Sequence, residues 1–273
     1  MSIHLEWPVS GIAVVTIDAP GTKNALTQAM LVDLAKAFSA LRANKETAVV
    51  ILTGAGSENF CAGIDLKHAH FVFKMDELDM HNDPVYQMEH CEFPIIGAIR
   101  GHAINAGFEL ALACDMLLCA PCAQFRDTHV ALGLVPSWGL SSKLSLIVGP
   151  GAAKRAHFAC RPIGADEARR VGLVLDVIDE PAGIEPGSAG SQGGDASSQR
   201  VTSHTNSSAQ LGTNKFADDA LMAAALALAL EMTKNQKESV ARIKNRIVDG
   251  YSLSFGESRT LERRVAFAQY RAL

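Results

Sequence analysis

No dense block of lysine and arginine appears anywhere in the 273 residues, and the formal net charge is −4. The strong basic footprint of a general nucleic-acid binder is missing, while a site for one small anionic ligand is still allowed. Nor is there an apolar run of the roughly 20 residues that a bilayer demands. The longest in the second half, residues 220–230, is short and alanine-rich, so no membrane span is expected. The opening Met1-Ser2-Ile3-His4-Leu5-Glu6-Trp7 lacks a basic start leading into an apolar stretch and lacks an Arg/Ser-rich presequence. No cleaved targeting segment is therefore expected, and the cytoplasm is the expected compartment. Cysteine is limited to six scattered residues (61, 91, 114, 119, 122, 160), a pattern of reduced thiols rather than a disulfide framework. Cys119-Ala120-Pro121-Cys122 has CxxC spacing but no second ligand pair to complete a zinc site. HExxH spacing is absent as well, despite His68, His70, His81 and His90, so no metal is expected.

What is present is a globular balance, 48% hydrophobic and 20% charged, enough for one large core. Ile3–Trp7 and Ile12–Asp18 are β-rich runs around Pro8-Val9-Ser10-Gly11, which reads as a hairpin. Over Thr27–Leu41, Met30, Leu31, Leu34, Phe38 and Leu41 recur at helical spacing behind Thr27 as N-cap. Strand Ala48–Thr53 follows, then strand Ile95–Arg100, helix Ala106–Cys114 and strand Asp115–Cys119, an order that predicts an α/β core with crossing helices. The His- and Met-rich stretch Asp65–Cys91 between these rounds reads as a flap over a site. Helices are expected at Leu140–Val148, Gly151–Ala159 and Ala165–Val171, with a short strand at Leu173–Ile178. Pro181–Gly212 is rich in Gly and Ser and poor in large apolar residues, so it is expected to be a disordered surface loop. Helices resume near Phe216–Lys234, Glu238–Val248 and Phe255–Ala268, the last bearing Arg263 and Arg264. The expected organisation is an α/β core over 1–180, the loop 181–212 and a C-terminal helical region 213–273.

Two glycine-containing turns stand after strands and before helices: Phe60-Cys61-Ala62-Gly63-Ile64-Asp65, and Gly101 to Glu109. A helix start presents unpaired backbone N–H groups, and small residues let a ligand approach them. Two such ends facing one another would form an oxyanion hole, and Glu109 lies one turn into the second helix.

In order and spacing, Ala62-Gly63-Ile64-Asp65-Leu66, the stretch Ala103–Asp115, Ala123-Gln124-Phe125, Leu132-Gly133-Leu134-Val135-Pro136 and Ala165–Val174 resemble the enoyl-CoA hydratase/isomerase (crotonase) superfamily. Pro20–Leu26, ending in Asn24-Ala25-Leu26, resembles its early CoA-binding segment, and the likeness covers nearly all the chain outside Pro181–Gly212. The resemblance implies a ββα superhelix with a C-terminal helical region, assembled as homotrimers or hexamers, acting on an acyl-CoA substrate with no further cofactor. It places the two oxyanion N–H donors at Ile64 and Ala106, the latter where the family more often has glycine. It puts CoA against Asn24, Ala25, Ala62 and Lys67.

Hydratases of this family use two glutamates, one to activate water and one to deliver a proton. Glu109 matches the first, and the second falls on His129, since Thr128-His129 stands where the family has Pro-Glu. Histidine serves as acid or base near neutral pH. Taken on their residues alone, Glu109 also reads as a helix-face carboxylate near a helix N-terminus, and His129 as a core histidine. Asp127 reads as a partner of His129 or a turn cap, Trp138 as a wall of the acyl pocket or a packing residue, and Asp115 as structural. The leading expectation is an enoyl-CoA hydratase; a one-carboxylate isomerase and a silent CoA-ester-binding scaffold are the alternatives.

Overall fold

The computed structural model describes residues 2–65, 67, 79–179, 216, 219–251 and 253–270. β1 (Ser2–Val9) and β2 (Ile12–Asp18) pair antiparallel as expected, through a turn narrowed to Ser10-Gly11 because β1 runs on through Pro8 and Val9. Pro8 is tolerated there because β1 is the edge of its sheet, where a missing N–H breaks no ladder. α1 (Gln28–Ala43) starts where Thr27 Oγ1 accepts from the Met30 N–H at 3.3 Å, and it buries Met30, Leu31, Leu34, Phe38 and Leu41.

The chain then alternates between two sheets. β3 (Val49–Gly54), β5 (Ile95–Ile99), β7 (Met116–Cys119) and β10 (Asp176–Val177) join the hairpin in a six-stranded sheet ordered β1-β2-β3-β5-β7-β10. β4 (Asn59–Cys61), β6 (His102–Ile104), β8 (Gln124–Arg126) and β9 (Ile163–Gly164) make a smaller sheet ordered β4-β6-β8-β9. From β3 to β8 each round thus places one strand in the large sheet and the next in the small one before a helix crosses back, the ββα spiral that the resemblance implies. The helices are α2 (Pro84–Glu89), α3 (Ala106–Ala113), α4 (Leu140–Val148), α5 (Pro150–Ala159) and α6 (Ala165–Arg170), and then α7 (Ala220–Thr233), α8 (Lys237–Gly250) and α9 (Phe255–Tyr270) at the C-terminal end.

The large sheet is apolar on both faces. Ala13, Val15, Ile17, Val50 and Leu52 point into the main core with α1 and the α3 residues Phe108 and Leu110. The alternate residues Ile12, Val14, Val49, Ile51, Ile96 and Ala98 face Leu221, Met222, Ala225, Leu226 and Ala229 of α7. Strands covered on both sides read as continuous apolar runs, as here. The first helix of the C-terminal region is thus the second wall of the core, anchored where Asp219 caps Met222 and pairs with Arg100 at 2.7 Å.

Two local expectations are corrected. The strand at Leu173–Ile178 shrinks to Asp176–Val177, because the N–H groups of Leu173 and Val174 return to the Ala168 carbonyl at the end of α6. Within the expected flap, α2 is a helix packed against α1, tied by Arg42 Nη1 donating to Gln87 Oε1 at 2.8 Å. Most of the rest of that stretch, and the expected loop Pro181–Gly212, lie outside the described residues. The strands of the small sheet are two or three residues long and carry no readable alternation.

Candidate active site at the exits of three parallel strands

β4, β6 and β8 run parallel, with Cys61 opposite Ala103 and Ile104 opposite Arg126. Parallel neighbours release their next residues at the same end. Gly63-Ile64, Asn105-Ala106 and Asp127-Thr128-His129, distant in sequence, therefore meet at one edge of the small sheet.

The first exit loop is laced to the segment before α1. Leu26 N–H donates to Gly63 O at 2.8 Å, Asp65 N–H to Leu26 O at 2.9 Å, and Ala62 N–H to Lys23 O at 3.1 Å. In a parallel bridge the bonds flank the bridged residue, so the Ile64 N–H faces away from Leu26. Gly63, at φ +94, has no room for a side chain on the opposite flank: a Cβ would sit 2.9 Å from Ile104 O and 3.7 Å from Ala106 N. The two loops therefore touch backbone to backbone. Gly107 closes the same seam, since a Cβ there would lie 2.2 Å from Cys61 O.

Asn105, at φ 50, precedes α3 but does not cap it with its side chain. Its Oδ1 accepts from Thr128 N–H at 2.7 Å and its Nδ2 donates to Thr128 Oγ1 at 2.8 Å, joining the second and third exits. The α3 start keeps its orphan N–H groups and its positive dipole end, an arrangement suited to developing negative charge.

Glu109 lies in the first turn of α3 and is only 2% exposed. Its Oε1 accepts from the backbone N–H of Trp138 at 2.7 Å. Burial raises its pKa, and the Trp138 N–H, the nearby His129 and the Leu140 N–H pull it part of the way back. His129 sits on the third exit with Nδ1 2.6 Å from Asp127 Oδ1, and its own N–H donates to that oxygen at 2.9 Å. The other carboxylate oxygen, Oδ2, is 2.5 Å from His157 Nδ1 on α5. Burial alone would raise the Asp127 pKa, but the hydrogen bonds from His129 and His157 hold it at about 2.

Of the sequence-derived residues, Ile64, Ala106, Glu109 and His129 gather here. Trp138 joins through its backbone, while its half-buried side chain packs on the core. Asn24 enters differently from the CoA contact that the resemblance implies. Its side chain is fully buried, accepting from Ala19 N–H at 2.8 Å and donating to Ala55 O at 2.9 Å and Asn59 O at 2.7 Å. What Asn24 offers a ligand is the shape of the loop rather than a polar atom. Ala25 and Ala62 are half-buried on the same loops, and Lys67 is exposed, its N–H on Asp65 Oδ1. A pocket of about 260 Å³ between residues 20–24 and 55–59 includes Lys23, a cation that sequence reasoning passed over. It also passed over His157, which nothing in the local sequence connects to Asp127. Asp115 is structural as expected, accepting from Ile95 N–H and Lys244 Nζ.

This fold and this cluster define a CoA-thioester enzyme class, and comparison with known proteins names it. The family model described as enoyl-CoA hydratase/isomerase matches residues 9–184. A probable peroxisomal enoyl-CoA hydratase 1 of Arabidopsis thaliana is 41% identical over 268 residues, covering 98% of this chain and 86% of the relative. A short-chain-enoyl-CoA hydratase of Clostridium acetobutylicum is 35% identical over 174 residues, 62% of this chain and 66% of the relative. The crystal structure of an enoyl-CoA hydratase from Bacillus anthracis superposes with a TM-score of 0.74 at 25% identity, covering 96% of this chain and 88% of that one. One from Polaromonas sp. JS666 gives 0.73 at 23% identity, over 97% and 90%, a likeness of fold. The chain belongs to the enoyl-CoA hydratase/isomerase family.

Proposed function

We propose that this chain is an enoyl-CoA hydratase that adds water across the C2–C3 double bond of a 2-enoyl-CoA. The observation that carries the reading is the meeting of a buried carboxylate, Glu109, with a carboxylate-supported imidazole, His129, beside a helix start left open by its own N-cap residue. The thioester oxygen would lie between the N–H groups of Ile64 and Ala106, and CoA would run along the loops of Lys23 to Ala25 and Ala62, with Lys67 toward its phosphates. The acyl chain would extend past the Trp138 segment.

In the reaction, Glu109 takes a proton from water as the water oxygen bonds to C3. The π electrons move onto the thioester oxygen as an enolate, which two preorganised N–H groups stabilise by about 3 kcal/mol each. C2 then takes a proton from Nε2 of His129, which carries it at the outset while Nδ1–H stays on Asp127, and return of the proton from Glu109 to that nitrogen restores the pair. A carboxylate whose pKa is raised by burial is a stronger base for this step than an exposed one. The apolar side chains exposed on α8, Ile243, Ile247 and Val248, with Tyr251 just past its end, support assembly as a trimer or a pair of trimers, which sedimentation would read. Among the described residues no helix is long and apolar enough to cross a membrane.

The test is turnover of trans-2- and cis-3-enoyl-CoA esters in oxygen-18 water, with Glu109→Gln alongside. Labelled 3-hydroxyacyl product is expected, falling by about 100-fold or more in kcat in the variant. Unlabelled double-bond migration would replace this reading with an isomerase, and binding without chemistry would replace it with a silent scaffold.

A further inference from the structure

Asp127 is nearly inaccessible, its side chain 3% exposed, and it serves two histidines at once. Oδ1 takes His129 Nδ1 at 2.6 Å and Oδ2 takes His157 Nδ1 at 2.5 Å, with the His129 backbone N–H as a third donor to Oδ1. An ionised carboxylate only accepts, so both Nδ1 atoms are donors. His157 Nε2 is buried without a hydrogen-bond partner among the described residues. A proton there would be a buried donor with no acceptor, which costs more than an idle lone pair. Each feature selects the same form of His157: Nδ1–H toward Asp127, Nε2 bare.

We propose that His157 is a positioning residue for the acid–base chemistry, gripping the second oxygen of Asp127 so that the first is aimed at His129 and holds its Nδ1–H, leaving Nε2 as the nitrogen that delivers the proton to C2 and regains it from Glu109. This rests on His129 being the second acid–base group. Without the His157 donor, Oδ2 would be a buried charged oxygen lacking its partner, and the carboxylate would turn about its χ2 axis to share its remaining donors. The ring of His129 would then lose its fixed orientation and tautomer. The charged and titratable groups that bear on His129 are Glu109 from α3, Asp127 from the β8 exit and, through that carboxylate, His157 from α5. Metal-ligand and helix-cap roles for His157 are not needed to account for its placement, because among the described residues its side chain's one polar contact is Asp127.

The experiment is ¹⁵N NMR of imidazole-labelled protein, which reads each ring's tautomer, on the wild type, His157→Phe and His157→Asn, together with kcat and KM for a 2-enoyl-CoA. Asn places its amide N–H near the former Nδ1 and should restore the grip. The expected result is Nδ1–H signals for both rings in the wild type and a mixed His129 tautomer in His157→Phe. In that variant kcat should fall by about tenfold or more with KM within twofold, and His157→Asn should recover most of both. A wild-type His129 or His157 with a bare Nδ1 would overturn the proposal without any variant having to fold. So would an unchanged His129 tautomer in His157→Phe. A changed tautomer with unchanged kcat would leave the positioning intact and remove His129 from the chemistry, which separates failure of the underlying reading from failure of this one.

Discussion

Asn24 is where a direct CoA contact and a structural role make opposite predictions. Its side chain makes three hydrogen bonds, to Ala19 N–H, Ala55 O and Asn59 O, at 2.7 to 2.9 Å, and its backbone sits at φ 55. Each bond is worth about 1 kcal/mol net, and a left-handed backbone costs a residue with a Cβ about 1 kcal/mol, less for Asn, which is adapted to it. Asn24→Gly removes the bonds but suits the backbone, so it should lose about 3 kcal/mol. Asn24→Ala adds the backbone penalty and should lose about 4 kcal/mol. The difference between the two isolates the conformational part from the hydrogen bonds. Asn24→Asp keeps the acceptor for Ala19 but sets a negative oxygen against two carbonyls, and should behave no better than Ala. Urea unfolding at fixed protein concentration reads these losses, and KM for a short enoyl-CoA is measured on the same samples. If Asn24→Gly unfolds at the wild-type urea midpoint while KM alone rises, the side chain touches CoA directly and the structural reading is refuted.

Three further outcomes follow from the site. Glu109→Gln should be more thermostable than the wild type at pH 8, with the difference closing toward pH 4. A carboxyl whose folded pKa is raised contributes stability only below its ordinary pKa and loses it as pH rises through the raised value; differential scanning calorimetry at the two pH values checks this. Asp127 has the opposite sign: lowered from 3.8 to about 2, it contributes about 2 kcal/mol above pH 4 that is lost as pH falls through 2, so Asp127→Asn should be destabilised at pH 6 and lack that acid limb in urea titrations. Gly107→Ala, which sets a Cβ 2.2 Å from Cys61 O, should force α3 and β4 apart and cost about 2 kcal/mol with a larger loss in kcat, read by melting and by turnover; wild-type kcat would show that the seam does not hold the oxyanion geometry.

Much of the fold was legible because the large sheet and α1 obey strong periodic rules. Val49–Leu52 and Ile95–Ile99 are apolar on both faces, and Met30 to Leu41 make an unbroken helical stripe. The small sheet was not legible as strands, since three residues such as Asn59–Cys61 are too few for alternation to register. Its exit loops stood out nonetheless, because Gly63 and Gly107 mark places where backbone meets backbone. Glu109 was marked by its place one turn into the second helix, and His129 by the family resemblance, which sets it where a second glutamate usually stands. The support for Glu109 was hidden, because it comes from the Trp138 main chain, which nearly any residue at that position would supply. His157 was hidden by distance along the chain: it reaches Asp127 from 30 positions away, and no local pattern records that meeting.

The order in which the three exit loops arise has a consequence for how such a chain changes its chemistry. Each successive round of the spiral delivers one short loop to the same edge, first the Gly63-Ile64 backbone, then the helix carrying Glu109, then the segment carrying His129. Because the loops hang from separate strands, one can be rewritten while the others keep their register. The third, joined to the second through the Asn105–Thr128 pair, is the natural unit of exchange. Grafting a Pro-Glu sequence in place of Thr128-His129 would give up that pair and strand the Asp127 carboxylate beside a single histidine. Variety in this architecture is thus a matter of swapping one cassette and refitting the residues behind it, with the sheet and the first two loops left as they are.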